Sequence, residues 1–418
     1  MYKTVLTFLV LLVISTSVTA QNVTIPNTIF KAVLLNNSAI NTNNDLEIQI
    51  IEATAYAGTI SCVGHGITDL TGIEAFTALT ELNCNDNSLT ALDLSNNTAL
   101  TNLDCHNNSS LTTLNLSNNM ALTNLVCYNS SLTALDLSNN TALTFLFCSG
   151  NNLTALNLSN NTALTHLLCS NNNFTALDVS SNTALTHLSC SNNNFTALDV
   201  SSNTALTVIN FGDNNLTALD LSNNTALTQL DCGNNNLTAL DLSNNTALTY
   251  LDCPNNNITA LDLSNMPLTR LSCHSNDLTV LNVANGYNHH VIDFYAKANS
   301  NLTCIQVDNV TYSNTNWTVP NHIGYISLFS TNCNYPLDIN NNLTFKNVSI
   351  YPNPTTGIVN FNSVEQIETI TVYNLLGTKV DCFKNTNSID MTTLPNGIYI
   401  LNAMTLNGNT ITRKMIKK

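Results

Sequence analysis

Nine cysteines recur along the chain at nearly constant spacing, and regularly spaced thiols can form disulfides or bind a metal ion. The steps are 21 or 22 residues, with one of 42 and a last one of 20, at Cys84, Cys105, Cys127, Cys148, Cys169, Cys190, Cys232, Cys253 and Cys273. Thiols on in-register parallel strands stand ~4.8 Å apart, wider than the ~3.8 Å between the Cβ atoms of a disulfide. A straight column cannot converge on one ion. We therefore expect small buried side chains, in a column that also accepts Phe211.

A second group of ligand-type side chains lies near the amino terminus, in NTNNDLEIQIIE, residues 41–52. Its spacing is similar to that of an EF-hand loop; the matching Ca²⁺ ligands are Asn41, Asn43, Asp45, the carbonyl of Glu47, and Glu52. Asn41 replaces the usual Asp, and Leu46 stands where Gly makes the sharp turn. A calcium loop and a purely structural helix–turn–helix are both open interpretations. The flanking stretches TIFKAVLLNNSA and IIEATAYAG predict the two short helices.

The first 20 residues have the features of a secretory signal peptide. Lys3 supplies the charged start, residues 5–14 the apolar run, and Val18 and Ala20 the small residues before a cleavage site. The alternative is a membrane anchor, but this run is too short to cross a bilayer, and no later segment has 18 consecutive apolar residues. Export favours a disulfide between Cys304 and Cys333, which lie beyond the repeats.

The whole chain has a formal net charge of −15, and the negative charge is concentrated in one part of it. Residues 60–287 contain sixteen Asp or Glu and a single basic residue, Arg270, whereas the rest of the chain has ten of each sign. Phosphate binding needs clusters of Lys and Arg, so nucleic acid is excluded as a partner of this region. The acidic region favours cations or basic partners instead.

The elements that position the cysteines are repeats of about 21 residues, a period typical of solenoids. The copy at residues 227–247, LTQLDCGNNNLTALDLSNNTA, contains two versions of Leu-x-x-Leu-x-Cys/Leu-x-x-Asn. Alternation inside each half predicts an extended strand, with Leu230 and Cys232 inward and Asp231 outward. Asn235 and Asn245 close the two halves, where a buried amide can satisfy the backbone groups of a corner.

This pattern resembles the leucine-rich repeat family, specifically the bacterial class with a 21-residue unit of nested double periodicity. The resemblance covers residues 60–287, about ten turns, and implies a mostly β solenoid whose stacked turns bury continuous leucine columns. It also implies end caps, at residues 21–59 with the two short helices and at residues 288–333. A polar linker follows at 334–347.

Residues 348–418 contain short alternating segments with Gly and Pro turns, which predict a small β-sandwich. The segments are VSIYPNPTTGIVNF, ITVYNLLGTKV, SIDMTTLPNGIYIL and TITRKMIKK. In this order they resemble the type A C-terminal sorting domain of type IX secretion in Bacteroidetes-type bacteria; the matching residues are Tyr351, Pro352, Asn353, Pro354, Gly357, Tyr373, Gly377, Asp390, Leu394, Gly397, Tyr399 and the basic end at 413–418. The resemblance implies contact with the secretion machinery, passage across the outer membrane, removal of this domain, and release or surface attachment.

The outward positions of the first half-repeat vary from turn to turn within this chain. Its middle turns bring together apolar and aromatic residues, at Val126, Tyr128, Phe145, Phe147, His166, Leu168, His187 and Val208. Such grouping is typical of an interaction patch; the alternatives are ordinary exposed residues or a packing surface for another part of the chain. Two of the histidines could instead bind a metal. The hypothesis is a surface that binds a protein or glycan, on a cell surface or in the medium.

The second half-repeat is monotonous by comparison, with Ala and then Asp or Asn at its outward positions. The Asp column either repels itself and recruits Ca²⁺ or, the favoured interpretation, accepts hydrogen bonds at the turns. Regular threonines suggest an alternative function, an ice- or polymer-binding surface, at Thr90, Thr133, Thr154, Thr175, Thr196 and Thr217.

The eight histidines are scattered, and no Gly-x-Ser-x-Gly motif occurs. No pattern pairs a nucleophile with a base, so the sequence predicts a binding protein rather than an enzyme.

Overall fold

The computed structural model describes residues 21–319, 322–324, 327–333, 349–362, 366–374, 379–406 and 410–418. The predicted signal peptide at 1–20 and the predicted linker at 334–347 lie outside the described residues. The chain divides into two compact units, Met1–Cys333 and Asn334–Lys418.

The first unit is built on a parallel sheet of twelve three-residue strands, here called the variable sheet. In most of them the central residue is a buried Leu, because period-2 alternation points it inward while its two neighbours point outward. In sheet order the strands are Thr59–Ser61, Glu81–Asn83, Asn102–Asp104, Asn124–Val126, Phe145–Phe147, His166–Leu168, His187–Ser189, Val208–Asn210, Gln229–Asp231, Tyr250–Asp252, Arg270–Ser272 and Asp293–Tyr295.

The predicted leucine-rich repeat solenoid is confirmed, with about 13 turns instead of the ten expected, and its variable sheet has two strands beyond the ten predicted turns. The added strands are Thr59–Ser61 and Asp293–Tyr295, at the two ends of the sheet. Each is followed by a buried residue at the position that cysteine occupies in most turns. This residue is Cys62 at one end and Ala296 at the other. The consensus weakens at the ends because a terminal turn has a neighbour on one side only.

The second half-repeat departs from the prediction that it would also form strands throughout. Paired strands occur at its two ends only, in a two-stranded sheet, Ala91–Asp93 and Thr113–Asn115, and a four-stranded sheet, Ala260–Asp262, Val280–Asn282, Cys304–Gln306 and Leu328–Ser330. Residues 116–259 are all described, and their second halves contain no strand. Single backbone bonds and side chains link these turns instead of strand pairing; for example, the Asn236 N–H donates to the Leu216 carbonyl at 2.8 Å, and the Asn224 amide donates to the carbonyl of Val200 at 3.1 Å.

Two columns of buried asparagine hold neighbouring turns together, as the sequence predicts. The Asn235 amide nitrogen donates to the carbonyls of Phe211, Cys232 and Gly233, and its oxygen accepts from the Leu216 N–H at 2.9 Å. In the other column, the Asn245 amide donates to two carbonyls of the preceding turn. Each amide therefore satisfies corner backbone groups that no regular ladder pairs.

The corner after each cysteine also selects its residue type. Asn234 has φ of +53°, in the left-handed region that Asn, Asp and Gly tolerate best. The equivalent residues of other turns share this conformation, among them Asp86, Asn107, Asn129, Asn171, Asn192, Asp213 and Asn255. This constraint explains the polar residue at that position in almost every repeat.

Short helices lie at both ends of the first unit. The predicted amino-terminal helices are observed as α1 (Thr28–Leu35) and α2 (Ile50–Ala55), and α1 is capped by the Asn27 side chain. Helix α3 (Val310–Asn316) lies near the other end, where the Trp317 ring stacks on Phe294 of the last turn at 4.1 Å.

The second unit consists of two antiparallel sheets around a core of its own. One contains Ser349–Tyr351, Ile358–Asn362 and Ser388–Asp390; the other contains Ile367–Asn374, Lys379–Lys384, Gly397–Thr405 and Thr410–Lys417. Asn353 joins the first and last sequence blocks, because its amide donates to the Lys414 carbonyl and its oxygen accepts from the Ile416 N–H. The β-sandwich prediction is consistent with this arrangement.

We predict that Asn235→Ala lowers the free energy of unfolding by about 2–3 kcal/mol, because it leaves buried backbone groups without their side-chain partner. Chemical denaturation of the two proteins measures this difference. The neighbouring, exposed Asn236 is the matched control, and Asn236→Ala should change stability by less than about 0.5 kcal/mol. Equal effects of the two substitutions would contradict the structural role of the buried column.

Candidate binding surface

The predicted interaction patch lies on five adjacent strands of the variable sheet, from Asn124–Val126 to Val208–Asn210. We call its eight residues the aromatic strip: Val126, Tyr128, Phe145, Phe147, His166, Leu168, His187 and Val208. The structure places them on one face, and each is half-buried rather than fully exposed. They shield one another, because in-register side chains of neighbouring parallel strands lie side by side.

The rings of the strip are stacked on each other. His106, Tyr128 and Phe147 form one stack, with centroids 4.3 Å apart at both steps. His166 and His187 form another, at 4.3 Å and an interplanar angle of 13°. Both faces of Tyr128 and one face of each other stacked ring are therefore covered by a neighbouring ring.

The two stacked histidines are held by neighbouring hydroxyls. Nδ1 of His166 and of His187 each lies 2.9 Å from the hydroxyl of the preceding threonine, Thr165 or Thr186. Burial, and then the charge of His166 beside it, lower the pKa of His187, which favours the neutral ring. Among the described residues, no group of three or more His, Cys, Asp or Glu side chains could hold a metal ion.

Carboxylates lie beyond the carboxy-terminal side of the strip. Asp231 and Asp252 are opposite each other on adjacent strands. Burial raises the pKa of Asp231, as do the neighbouring charges of Asp252 and Asp213, although the Gly233 N–H opposes the shift. One Asp252 oxygen is buried without a hydrogen-bond partner. These acids are therefore crowded rather than neutralised.

Arg270 is the basic residue nearest to this acidic group in sequence, but its guanidinium is engaged elsewhere. It lies over the Tyr250 ring, 5.0 Å from the centroid, and 3.7 Å from the Asp293 carboxylate. The charge of Asp231 is therefore only partly offset from within the sheet.

A second acidic group lies on the other side of the strip. Asp104 contacts Nδ1 of His106 at 2.5 Å, and Nε2 of the same ring is 3.9 Å from the Asp86 carboxylate. Glu81, one strand further along, is exposed. Negative charge thus lies at both ends of the aromatic strip. Sequence reasoning missed this arrangement, and it also missed His106, whose part in the ring stack shows only once the register is known.

The outward Asp column of the second half-repeat is ordinary turn structure. The Asp136 carboxylate accepts from the Ser138 N–H at 3.0 Å, and Asp178 accepts from the Ser180 N–H at 2.9 Å. Hydrogen bonds from these serines lower the pKa of both carboxyls. The threonines of this half, including Thr154 and Thr175, are exposed.

The repeat cysteines are all buried and free. Eleven cysteines carry free thiols, and ten of them form the column that runs from Cys62 to Cys273. Burial raises the pKa of Cys148 to about 12, so its reactive thiolate is scarce at neutral pH. Cys304 and Cys333, in contrast, are joined in a disulfide with Cα atoms 5.7 Å apart.

The loop at residues 41–52 is tied to helix α2 by Glu52. One carboxylate oxygen accepts from the Thr42 N–H and hydroxyl, and the other accepts from the Gln49 N–H. Both oxygens that a bidentate calcium ligand would offer are used in this way, so the observed geometry does not fit such a ligand. Asp45 accepts from the Glu47 N–H, and the Asn41 amide donates to the Asp45 carbonyl. The calcium loop stays a prediction.

Comparisons with known proteins agree with both units. Residues 349–418 match the family described as secretion system C-terminal sorting domain. An internalin, inlF, from Listeria monocytogenes is 22% identical with a TM-score of 0.51, over 72% of this chain and 95% of that one. The functional domain of InlJ from the same species, which includes a cysteine ladder, is 24% identical with a TM-score of 0.49, over 93% and 97%. No curated protein matches this chain.

The fold defines the class of the first unit: it is a leucine-rich repeat solenoid with a repeat of about 21 residues, similar in fold to the internalin inlF. The chain thus combines a leucine-rich repeat solenoid with a type IX secretion sorting domain at residues 349–418, a domain that indicates secretion or attachment to the cell surface. None of the helices in the described part of the chain has the length and apolar composition of a membrane span.

We predict that iodoacetamide labels Cys382 in the native protein and leaves the ten column cysteines unmodified. Cys382 is half-buried in the second unit, whereas the column thiols are enclosed and hard to ionise. Mass spectrometry of peptides from native and denatured samples makes the comparison. Denaturation should expose all eleven free thiols. Labelling of Cys148 in the native protein would contradict the buried column.

We predict that Glu52→Gln destabilises the amino-terminal cap by roughly 1 kcal/mol, because it weakens the hydrogen bonds that the Glu52 carboxylate accepts from Thr42 and Gln49. Burial raises the pKa of Glu52, but hydrogen bonds from Gln49, Thr42 and Asn43 outweigh it and leave the value below its ordinary 4.5. The stabilisation is therefore present above the unfolded-state pKa and is lost as pH falls through the folded-state pKa. Thermal melts of both proteins at about pH 7 and about pH 3 should show the difference shrinking in acid.

The same melts with and without Ca²⁺ test the loop. We expect the midpoint of each protein to be unchanged by the ion. A calcium-dependent increase in the wild-type midpoint that Glu52→Gln abolishes would establish the calcium loop instead.

Proposed function

We propose that this protein is a secreted or surface-attached adhesion or recognition protein, which holds a protein or glycan partner on the aromatic strip. The observation that carries the proposal is the grouping of half-buried apolar and aromatic side chains on five adjacent strands of a rigid sheet. Clustered aromatic residues are the usual source of binding energy in protein interfaces. Leucine-rich repeat proteins are typically non-enzymatic binding proteins, which supports the same conclusion.

The contrast between the two half-repeats also supports the choice of surface. Every turn must keep its inward Leu and Asn residues to stack, but its outward residues are free to differ. They differ on the variable sheet and are nearly constant on the other side. The alternative of an ice- or polymer-binding surface is less well supported, because carboxylates such as Asp220 and Asp241 interrupt the small outward residues of the monotonous side.

We predict that Phe145→Ala with Phe147→Ala weakens partner binding at least about tenfold, since aromatic anchors of an interface commonly contribute more than 1 kcal/mol each. Immobilised wild-type and variant proteins are exposed to culture medium, and the same proteins in solution are applied to a glycan array. Partners that the wild type retains should be lost from the variant.

Thr154→Ala with Thr175→Ala, on the exposed threonine column of the other side, is the matched control and should retain every partner. If both double variants retain all partners, the aromatic strip is not the binding surface.

A further inference from the structure

The aromatic strip is bounded by negative charge at both ends. Glu81, Asp86 and Asp104 lie on its amino-terminal side, and Asp213, Asp231 and Asp252 lie on its carboxy-terminal side. Between residues 105 and 207 the chain has three acidic residues, Asp136, Asp178 and Asp199, and all three belong to the second half-repeat. The variable sheet therefore presents an apolar centre between two acidic ends.

Basic residues of the sheet offset this charge only in part. Arg270 is the single Lys or Arg between residues 60 and 287, and its guanidinium is directed to Tyr250 and Asp293. Like charges that face each other on adjacent strands destabilise a sheet, as Asp231 and Asp252 do here. A cationic group from a partner would relieve this repulsion, and it would gain from the desolvated position of the carboxylates.

The ring geometry distinguishes between the two kinds of partner. A sugar ring that packs on an aromatic side chain needs an exposed ring face. In the strip both faces of Tyr128 are covered by neighbouring rings at 4.3 Å, and His166 and His187 cover one face of each other at the same distance. Ring edges and aliphatic side chains such as Leu168 and Val208 remain, and these suit the irregular apolar side chains of a polypeptide.

From these observations we propose, resting on the function proposed above, that the variable sheet binds a polypeptide segment with an apolar centre and Lys or Arg at both ends. Strands in the sheet are spaced by ~4.8 Å, so the six steps from Asn102–Asp104 to Gln229–Asp231 span about 29 Å. An extended segment of about nine residues covers that distance, at ~3.3 Å per residue.

The test is selection from a random library of peptides of about twelve residues, a little longer than the span requires. The full-length chain is the target, and Phe145→Ala with Phe147→Ala serves for counter-selection. We expect the retained peptides to be enriched in Lys and Arg toward both ends and in apolar residues between them. Their affinity should fall about tenfold as salt increases from about 0.05 M to about 0.5 M, because screening weakens contacts between exposed charges.

Charge variants identify the acidic ends. Asp231→Asn with Asp252→Asn should remove the enrichment in basic residues at one end, and Asp104→Asn should weaken it at the other. Asp220→Asn with Asp241→Asn is the matched control and should change nothing, because these equivalent residues of two adjacent turns lie on the opposite side of the solenoid. Asn keeps an acceptor oxygen for the groups that these Asp side chains now bind: the Gly233 N–H for Asp231, the His106 N–H for Asp104 and the Tyr250 hydroxyl for Asp252.

The proposal is overturned if no peptide is retained, if the retained peptides are neutral or acidic, or if Asp231→Asn with Asp252→Asn leaves the enrichment intact. Neutral glycans retained in place of peptides would also overturn it, yet would leave the function of the strip standing if Phe145→Ala with Phe147→Ala removes them. Retention that neither pair of substitutions affects would reject both proposals.

Discussion

The stacking of turns at a fixed spacing depends on buried asparagine amides at the corners. A solenoid turn changes direction without the regular backbone pairing of a sheet or helix, so its corners leave donors and acceptors that water cannot reach. Asn235 and its equivalents pair with these groups in their own turn and in the preceding one. The Asn side chain offers two N–H donors and an acceptor oxygen, whereas a hydroxyl has a single donor and an ionised carboxylate has none. Register, sheet and core all follow from this link.

Because the register between strands is regular, the side chain at each outward position lies beside the side chain at the equivalent position of the next turn. Phe145 lies beside His166, and His166 lies beside His187, since each pair is in register on adjacent strands. Columns of rings therefore stack without any further device in the fold. The same geometry keeps the cysteine thiols in a column of parallel side chains that do not bond to each other. The regular register thus produces both the buried column of unreactive thiols and the stacked rings on the outer surface.

The core of the solenoid could be predicted from sequence because Leu230, Cys232 and Asn235 each have one physical role at a fixed offset. The sequence did not predict the two terminal strands, Thr59–Ser61 and Asp293–Tyr295. A terminal turn packs against one neighbour only, so its residues depart further from the repeat pattern. Strands throughout the second half-repeat are not observed, because alternation specifies an extended backbone but not whether adjacent turns approach closely enough to pair. The patch residues could be found by comparing repeats, whereas the ring stack through His106 and the paired acidic ends needed the observed register.

Aspartates recur at equivalent positions on both sides of the solenoid, but their surroundings differ. On the monotonous side each carboxylate has a structural role, because Asp220 accepts from the Ser222 N–H and Asp241 accepts from the Ser243 N–H, where solvent screens their mutual repulsion. On the variable sheet Asp231 also accepts an N–H, from Gly233, but its surroundings are half-buried, and Asp252 beside it keeps one oxygen without a partner. The neighbouring turns show that Ser189 or Asn210 can stand at the same position. Carboxylates at Asp231 and Asp252 therefore cost stability that the fold does not demand, and binding of a cationic partner is a physical reason for them to be there.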